Sequence, residues 1–182
     1  MKVSILLPSL FPDLANSAIE ALRPQLRGVD HEFVVVSPIS FSGENIRWIQ
    51  ETERRGAVAA MQTAAEHATG DLLLITSDDF RFSDNAIAEA LAAFADPARP
   101  FPMALTYPHR MRAIDCVFAT FGRLATSVCA VGKADALHAG GAHDRAFRIA
   151  FGDTDLGMRI MAAGGTVRRA RARVQELTDR MG

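Results

Sequence analysis

The sequence predicts an α/β fold, a three-layer sandwich with a mostly parallel central sheet between helices. Three observations predict it. Short apolar runs recur at Val3 to Leu7, Phe33 to Val36 and Leu72 to Ile75. Stretches with helical spacing of apolar residues follow them. Each run closes on turn-forming residues, at Pro8-Ser9, Ser37-Pro38 and Ser77-Asp78-Asp79. Strands that are apolar on both faces belong in a parallel sheet covered above and below.

The elements follow in order. Val3 to Leu7 reads as a buried first strand, ended by Pro8. Leu14 to Leu26 has apolar residues at Leu14, Ala18, Ala21, Leu22 and Leu26, which is close to helical spacing. Phe33 to Val36 gives a second buried strand, and "NIRWIQ" a short edge strand. Arg55 to Ala68 is Ala-rich with helical periodicity and stops at Gly70. Leu72 to Thr76 is a third buried strand. Ser83 or Asp84 can cap a helix over Ala86 to Phe94. Pro97, Pro100 and Pro102 then impose a loop, and residues 103–107 and 126–131 suit further strands. "DTDLGMRIMAAGG" reads as a helix with acids at its start and Gly164-Gly165 at its end. "TVRRARARVQ" reads as a half-exposed strand with Arg168, Arg169, Arg171 and Arg173 in water. No repeat, linker or low-complexity tract appears, so residues 1–182 read as one domain.

Composition narrows the function classes. A length of 182 residues allows a substantial core, and 49% hydrophobic with 23% charged residues is an ordinary globular balance. A net charge of -1 predicts neither a nucleic-acid nor a membrane partner. No apolar run reaches the roughly 20 residues that span a bilayer. "MKVSILLPSLF" is cut by Pro8 and reads as a strand rather than a signal peptide. Cys116 and Cys129 are too few for a zinc site or a disulfide framework, which suits reduced thiols and a cytoplasmic location.

In an open parallel sheet, ligands bind beyond the carboxyl ends of the strands. Three strands here end in polar residues that share that edge. Asp78 and Asp79 concentrate negative charge there, and like charges side by side repel unless something offsets them. A divalent cation, Mn or Mg, would offset them, because such ions take carboxylate oxygens together with substrate phosphates. A solvated turn is the plainer reading of the same two residues. Asp153 and Asp155 form a second acidic pair. They suit a helix cap and a first-turn dipole partner, or a general base and an acceptor contact.

Four segments, in order, resemble the nucleotide-sugar glycosyltransferases of the GT-A (Rossmann-like) fold, especially the mostly inverting family 2. They are "KVSILLPSL", "RRGAVAAMQTAAEHATGDLLLITSDD", "HAGGAHDRAF" and "FGDTDLGMRIMAAGG". The resemblance implies a metal-dependent transfer of a sugar from a nucleotide diphosphate to an acceptor hydroxyl, with inversion. It makes residues 1–95 the nucleotide-sugar-binding half and 96–182 the acceptor and catalytic half. By position it makes Asp79 the metal ligand and Asp153 the catalytic base. Pro8, Ser9, Ser37, Arg55, Gly56 and Asp78 fall on the donor side. Gly140, Gly141 and Asp155 fall on the acceptor side.

The chain departs from the family where an acid usually follows the second strand; here Ser37 stands. Thr76 or Ser77 stands where a further upstream acid is common. The stretch after the catalytic helix is shorter than the family usually carries, which leaves room for a partner subunit in a homo-oligomer. These departures keep a second reading open, a donor-binding or partner-binding relative without turnover. A nucleotidyltransferase fits less well, because "PSLFPDLAN" lacks a Gly-rich loop with a basic residue. His109, His138 and His143 are further candidate metal ligands that spacing does not choose between, and Phe80 is a candidate sugar-stacking ring.

Overall fold

The structure, a computed structural model, describes residues 1–108, 128–147 and 152–177, with the backbone alone at Asp153. His109, Cys116 and the side chain of Asp153 therefore lie outside the described residues, as do positions 126 and 127 of the strand expected there.

The apolar runs form the strands their composition requires. β1 (Val3–Pro8), β2 (His31–Ser37), β3 (Ile46–Gln50) and β4 (Leu72–Ile75) lie parallel to one another. They belong to a seven-stranded sheet and lie in it in the order β3-β2-β1-β4. Its far side holds β6 (Met103–Thr106), β7 (Cys129–Gly132) and β8 (Thr166–Arg169). β7 runs antiparallel to both β4 and β6, while β6 and β8 are parallel. The sheet is thus mostly parallel, and β3 is the edge strand that its half-exposed pattern suggests.

Because side chains alternate along a strand, each central strand feeds two cores. Ile5, Leu7, Phe33, Val35, Leu72 and Leu74 face one side, against α1 (Pro12–Leu22) and α3 (Ala86–Ala95). Leu6, Val34, Val36, Leu73 and Ile75 face the other, against α2 (Ala57–His67), α4 (Lys133–His138) and α5 (Gly152–Ala162). Small residues on α2, chiefly Ala60, Ala64 and Ala65, let that helix lie close to the sheet.

Several boundaries differ from the sequence reading, each for a local reason. The first helix ends at Leu22 and tightens into a 3-10 turn over Arg23–Leu26, because Pro24 cannot donate to an α-helical bond. Neither Ser83 nor Asp84 caps α3. Asn85 holds that place in the left-handed region, at φ 69°, without a side-chain cap. Ser83 instead receives the Arg173 amide on its hydroxyl and donates its own amide to the Arg173 carbonyl. The arginine-rich tail is two strands rather than one. After β8, Glu89 takes the amides of Arg171 and Ala172, and β9 (Val174–Glu176) pairs antiparallel with β5 (Phe80–Phe82) in a separate ribbon. Arg168, Arg169, Arg171 and Arg173 are all exposed.

Candidate functional site

A cleft of about 520 Å³ opens at the carboxyl ends of β1, β2 and β4. The parallel register puts Pro8-Ser9 and Ser77-Asp78 on one edge, and the first turns of α2 close the opposite wall. Of the residues expected on the donor side, Pro8, Ser9, Gly56 and Asp78 line this cleft. Gly56 precedes α2 at φ 100°, a conformation that favours glycine and turns the chain into the helix.

The acidic turn is built by long-range contacts. Asp78 is 4% exposed and accepts the Ser9 hydroxyl on Oδ2. The Asp79 carbonyl accepts the Leu177 amide at 2.8 Å, which continues the β5–β9 ribbon up to the acids. Arg81 lies under the same turn. Its guanidinium donates to the carbonyls of Asp78 (3.0 Å) and Phe80 (2.9 Å) and to the Ser17 hydroxyl (2.8 Å). Burial pulls the Arg81 pKa down, and the charges of Asp78 and Asp79 oppose that pull. Part of the offset that two adjacent acids require is therefore a resident cation, which the sequence reading missed.

Asp79 supplies the test of whether a metal fits. Its Oδ1 is buried and has no hydrogen-bond partner among the described residues. A buried carboxylate oxygen without a donor is costly to maintain. An oxygen-seeking divalent cation is the kind of group that would satisfy it. The residues present therefore fit such an ion, although no group of three or more ligating side chains converges among the described residues.

Ser37 is fully buried and its hydroxyl accepts the Ile39 amide, so it does not line the cleft. Its carbonyl takes the Glu51 amide (3.0 Å) and the Trp48 indole N–H (3.1 Å). Arg55 turns to the surface and pairs with Glu53 at 2.6 Å, while its neighbour Arg54 lines the cleft. Gly140 and Gly141 terminate α4, their amides returning to the carbonyls of Leu137 and Ala136. The Arg159 guanidinium holds this turn through the carbonyls of Ala139 (2.6 Å) and Gly141 (2.7 Å), and Asp155 pairs with Arg159 at 2.7 Å. Asp155 thus supports the Gly-Gly turn and does not line the cleft.

Asp153 occupies the first turn of α5, immediately after Gly152, which lines the cleft. Gly152 makes that approach tight: a Cβ there would meet Val58 at 3.0 Å and His143 at 2.9 Å. His143 lines the cleft, and its backbone amide donates to Gln62 of α2. His138 packs its ring against Phe101 instead, with centroids 5.0 Å apart. Phe80 lines the cleft beside the acids. Glu51 and Arg54 line its outer end and were not singled out from sequence, because polar residues after an edge strand show no periodicity.

Comparison with known proteins agrees with this architecture. The model of glycosyl transferase family 2 matches residues 34–111. Among solved structures, the chain superposes with a TM-score of 0.74 and 22% identity on a mannosyltransferase, PcManGT, from Pyrobaculum calidifontis in complex with GDP-Man and Mn2+. That match covers 99% of this chain and 58% of the other. GalNAc-T7 with UDP, GalNAc and Mn2+ matches at TM-score 0.73 and 12% identity, over 97% and 44% of the two chains. S. aureus TarS with UDP-GlcNAc matches at 0.70 and 15%, over 100% and 60%. The chain thus spans three fifths or less of the length of each of these structures. No curated protein matches it. The chain carries the glycosyl transferase family 2 signature over residues 34–111 on a GT-A fold.

Proposed function

We propose that the chain is a glycosyltransferase that takes a sugar from a nucleotide diphosphate donor and places it on an acceptor hydroxyl with inversion. The observation that carries this reading is the buried Asp79 Oδ1, which has no hydrogen-bond partner among the described residues, next to a cleft lined by Asp78 and Ser9. The solved structures bound to GDP-Man, UDP-GlcNAc and Mn2+ support the donor class and the cation.

In this reading Pro8, Ser9, Gly56 and Asp78 hold the nucleoside, and Asp79 holds Mn or Mg. When bound, the cation would neutralise the leaving diphosphate. Asp153, at the start of α5, takes the proton of the acceptor hydroxyl. The freed oxygen attacks the anomeric carbon from the face opposite the diphosphate, so one C–O bond forms as the other breaks and the configuration inverts. A carboxylate that is ionised at neutral pH can accept a proton, which is the chemistry a general base needs. Arg159 and Asp155 keep the Gly140–Gly141 turn in place on the acceptor side.

The test is nucleotide diphosphate binding by calorimetry, with and without manganese. Asp79→Ala is expected to remove the manganese-dependent part of binding, and unchanged binding in that variant with chelator present would overturn the reading. Asp153→Asn is expected to leave donor binding intact and to lower turnover by about 100-fold or more. Equal turnover in that variant excludes Asp153 as the base. A chain that binds donor but transfers nothing would be the non-catalytic relative that Ser37, lacking an acid at its position, also suits.

A further inference from the structure

The cleft has a carboxylate that the reaction does not use. Glu51 follows the edge strand β3, and its amide bonds to the Ser37 carbonyl, which prolongs the β2–β3 ladder and holds the residue at the cleft. Its carboxylate is half-buried and accepts no hydrogen bond among the described residues. Burial raises its pKa, with the charge of Arg54 opposing. Glu53, by contrast, is satisfied by Arg55 on the surface. Apolar side chains of Val36, Val58 and Met61 line the cleft with it and offer a flat ring something to lie against.

The position along the sheet edge matters. Glu51 extends β3 and Asp78 extends β4, with β2 and β1 between them. Three spacings of about 4.8 Å separate the two by about 14 Å. An extended nucleoside diphosphate has comparable reach. With its phosphate end at the acidic turn, its base reaches the Glu51 end.

Resting on the donor-binding reading above, we propose that Glu51 reads the nucleobase, and that the site prefers a guanosine diphosphate donor. A carboxylate offers two coplanar acceptor oxygens and no donor. Guanine presents adjacent ring N–H and exocyclic amine groups on its pairing edge, which match those oxygens as a bidentate pair. Uracil presents one N–H flanked by two carbonyls, whose oxygens the carboxylate repels. Adenine and cytosine each place an unprotonated ring nitrogen beside the amine, so only one bond forms.

The experiment is calorimetric titration of the whole chain with GDP, UDP, ADP and CDP in the presence of manganese. The wild type is expected to bind GDP about tenfold or more tightly than the others, the scale of one good bidentate contact. Glu51→Gln, which keeps the side-chain shape, is expected to erase most of that preference while leaving UDP binding within about twofold. Glu51→Ala should behave the same way. Equal binding of GDP and UDP by the wild type, or a preference that survives both substitutions, overturns the Glu51 assignment and leaves the donor-binding reading standing. Failure of every diphosphate to bind overturns both.

Discussion

At the scale of single residues, two charged side chains, half-buried Arg81 and buried Glu32, tie distant parts of the chain together. Arg81 ties three partners around the acidic turn. Replacing it with Met removes those bonds and the guanidinium charge that acts on Asp78 and Asp79. The expected loss is about 2 kcal/mol, from several net hydrogen-bond contributions of ~1 kcal/mol each, read from denaturant unfolding. Glu32 is 6% exposed and accepts the Ser4 hydroxyl (2.7 Å), the Thr69 amide (2.6 Å) and the Thr69 hydroxyl (2.8 Å). Burial pushes its pKa up, yet those bonds and the charge of Lys2 outweigh it, and the net shift is below the ordinary 4.5. The folded state therefore binds fewer protons than the unfolded state at mildly acid pH. The stabilisation is complete above the ordinary carboxylate range and is lost as pH falls through the folded value. Glu32→Gln is expected to cost about 2 kcal/mol at pH 7, with the gap to wild type narrowing at acid pH; a gap that is constant with pH would contradict this account.

At the scale of elements, the site depends on how close two helices come. α5 begins at Gly152 against Val58 of α2 and against His143, and this contact sets where the first turn of α5, which holds Asp153, meets α2. Gly152→Ala adds a methyl group where neither neighbour can move easily. The overpacking cost of about 1–3 kcal/mol outweighs the helix-propensity gain of up to about 1 kcal/mol. The expected result is a lower melting temperature together with weaker turnover. An unchanged melting temperature would show that α5 shifts freely. The periodicity of these helices was legible: α2, α3 and α5 fall close to the predicted ranges. The β5–β9 ribbon was not. Phe80–Phe82 and Val174–Glu176 are three-residue segments, too short to show a period, and they become strands only by pairing across the whole second half of the chain.

At the scale of the whole molecule, ligand binding should appear as stability. A ligand at about 100 times its dissociation constant adds about 2.7 kcal/mol. For a chain of this size that corresponds to a rise of roughly 5–10 °C in melting temperature. A thermal-shift screen of nucleotide diphosphates is expected to give this rise with manganese and a smaller one with chelator. Equal shifts in both conditions would separate donor binding from the cation.

The sequence by itself determined the layers, the parallel half of the sheet and the edge on which a ligand would sit. Apolar runs, helical periodicity and turn residues are local signals, and a strand that ends in Asp78-Asp79 carries its chemistry to the edge wherever it packs. Tertiary structure alone decided which side chains meet there. It placed Arg81 under the acids, turned Arg55 outward while keeping Arg54 in the cleft, buried Ser37 and brought Glu51 to the rim. The physical reason is reach: Arg81 meets Ser17, Glu51 is held by the Ser37 carbonyl, and the cleft wall is shared by three strand ends and α2, and no short-range pattern encodes such distances.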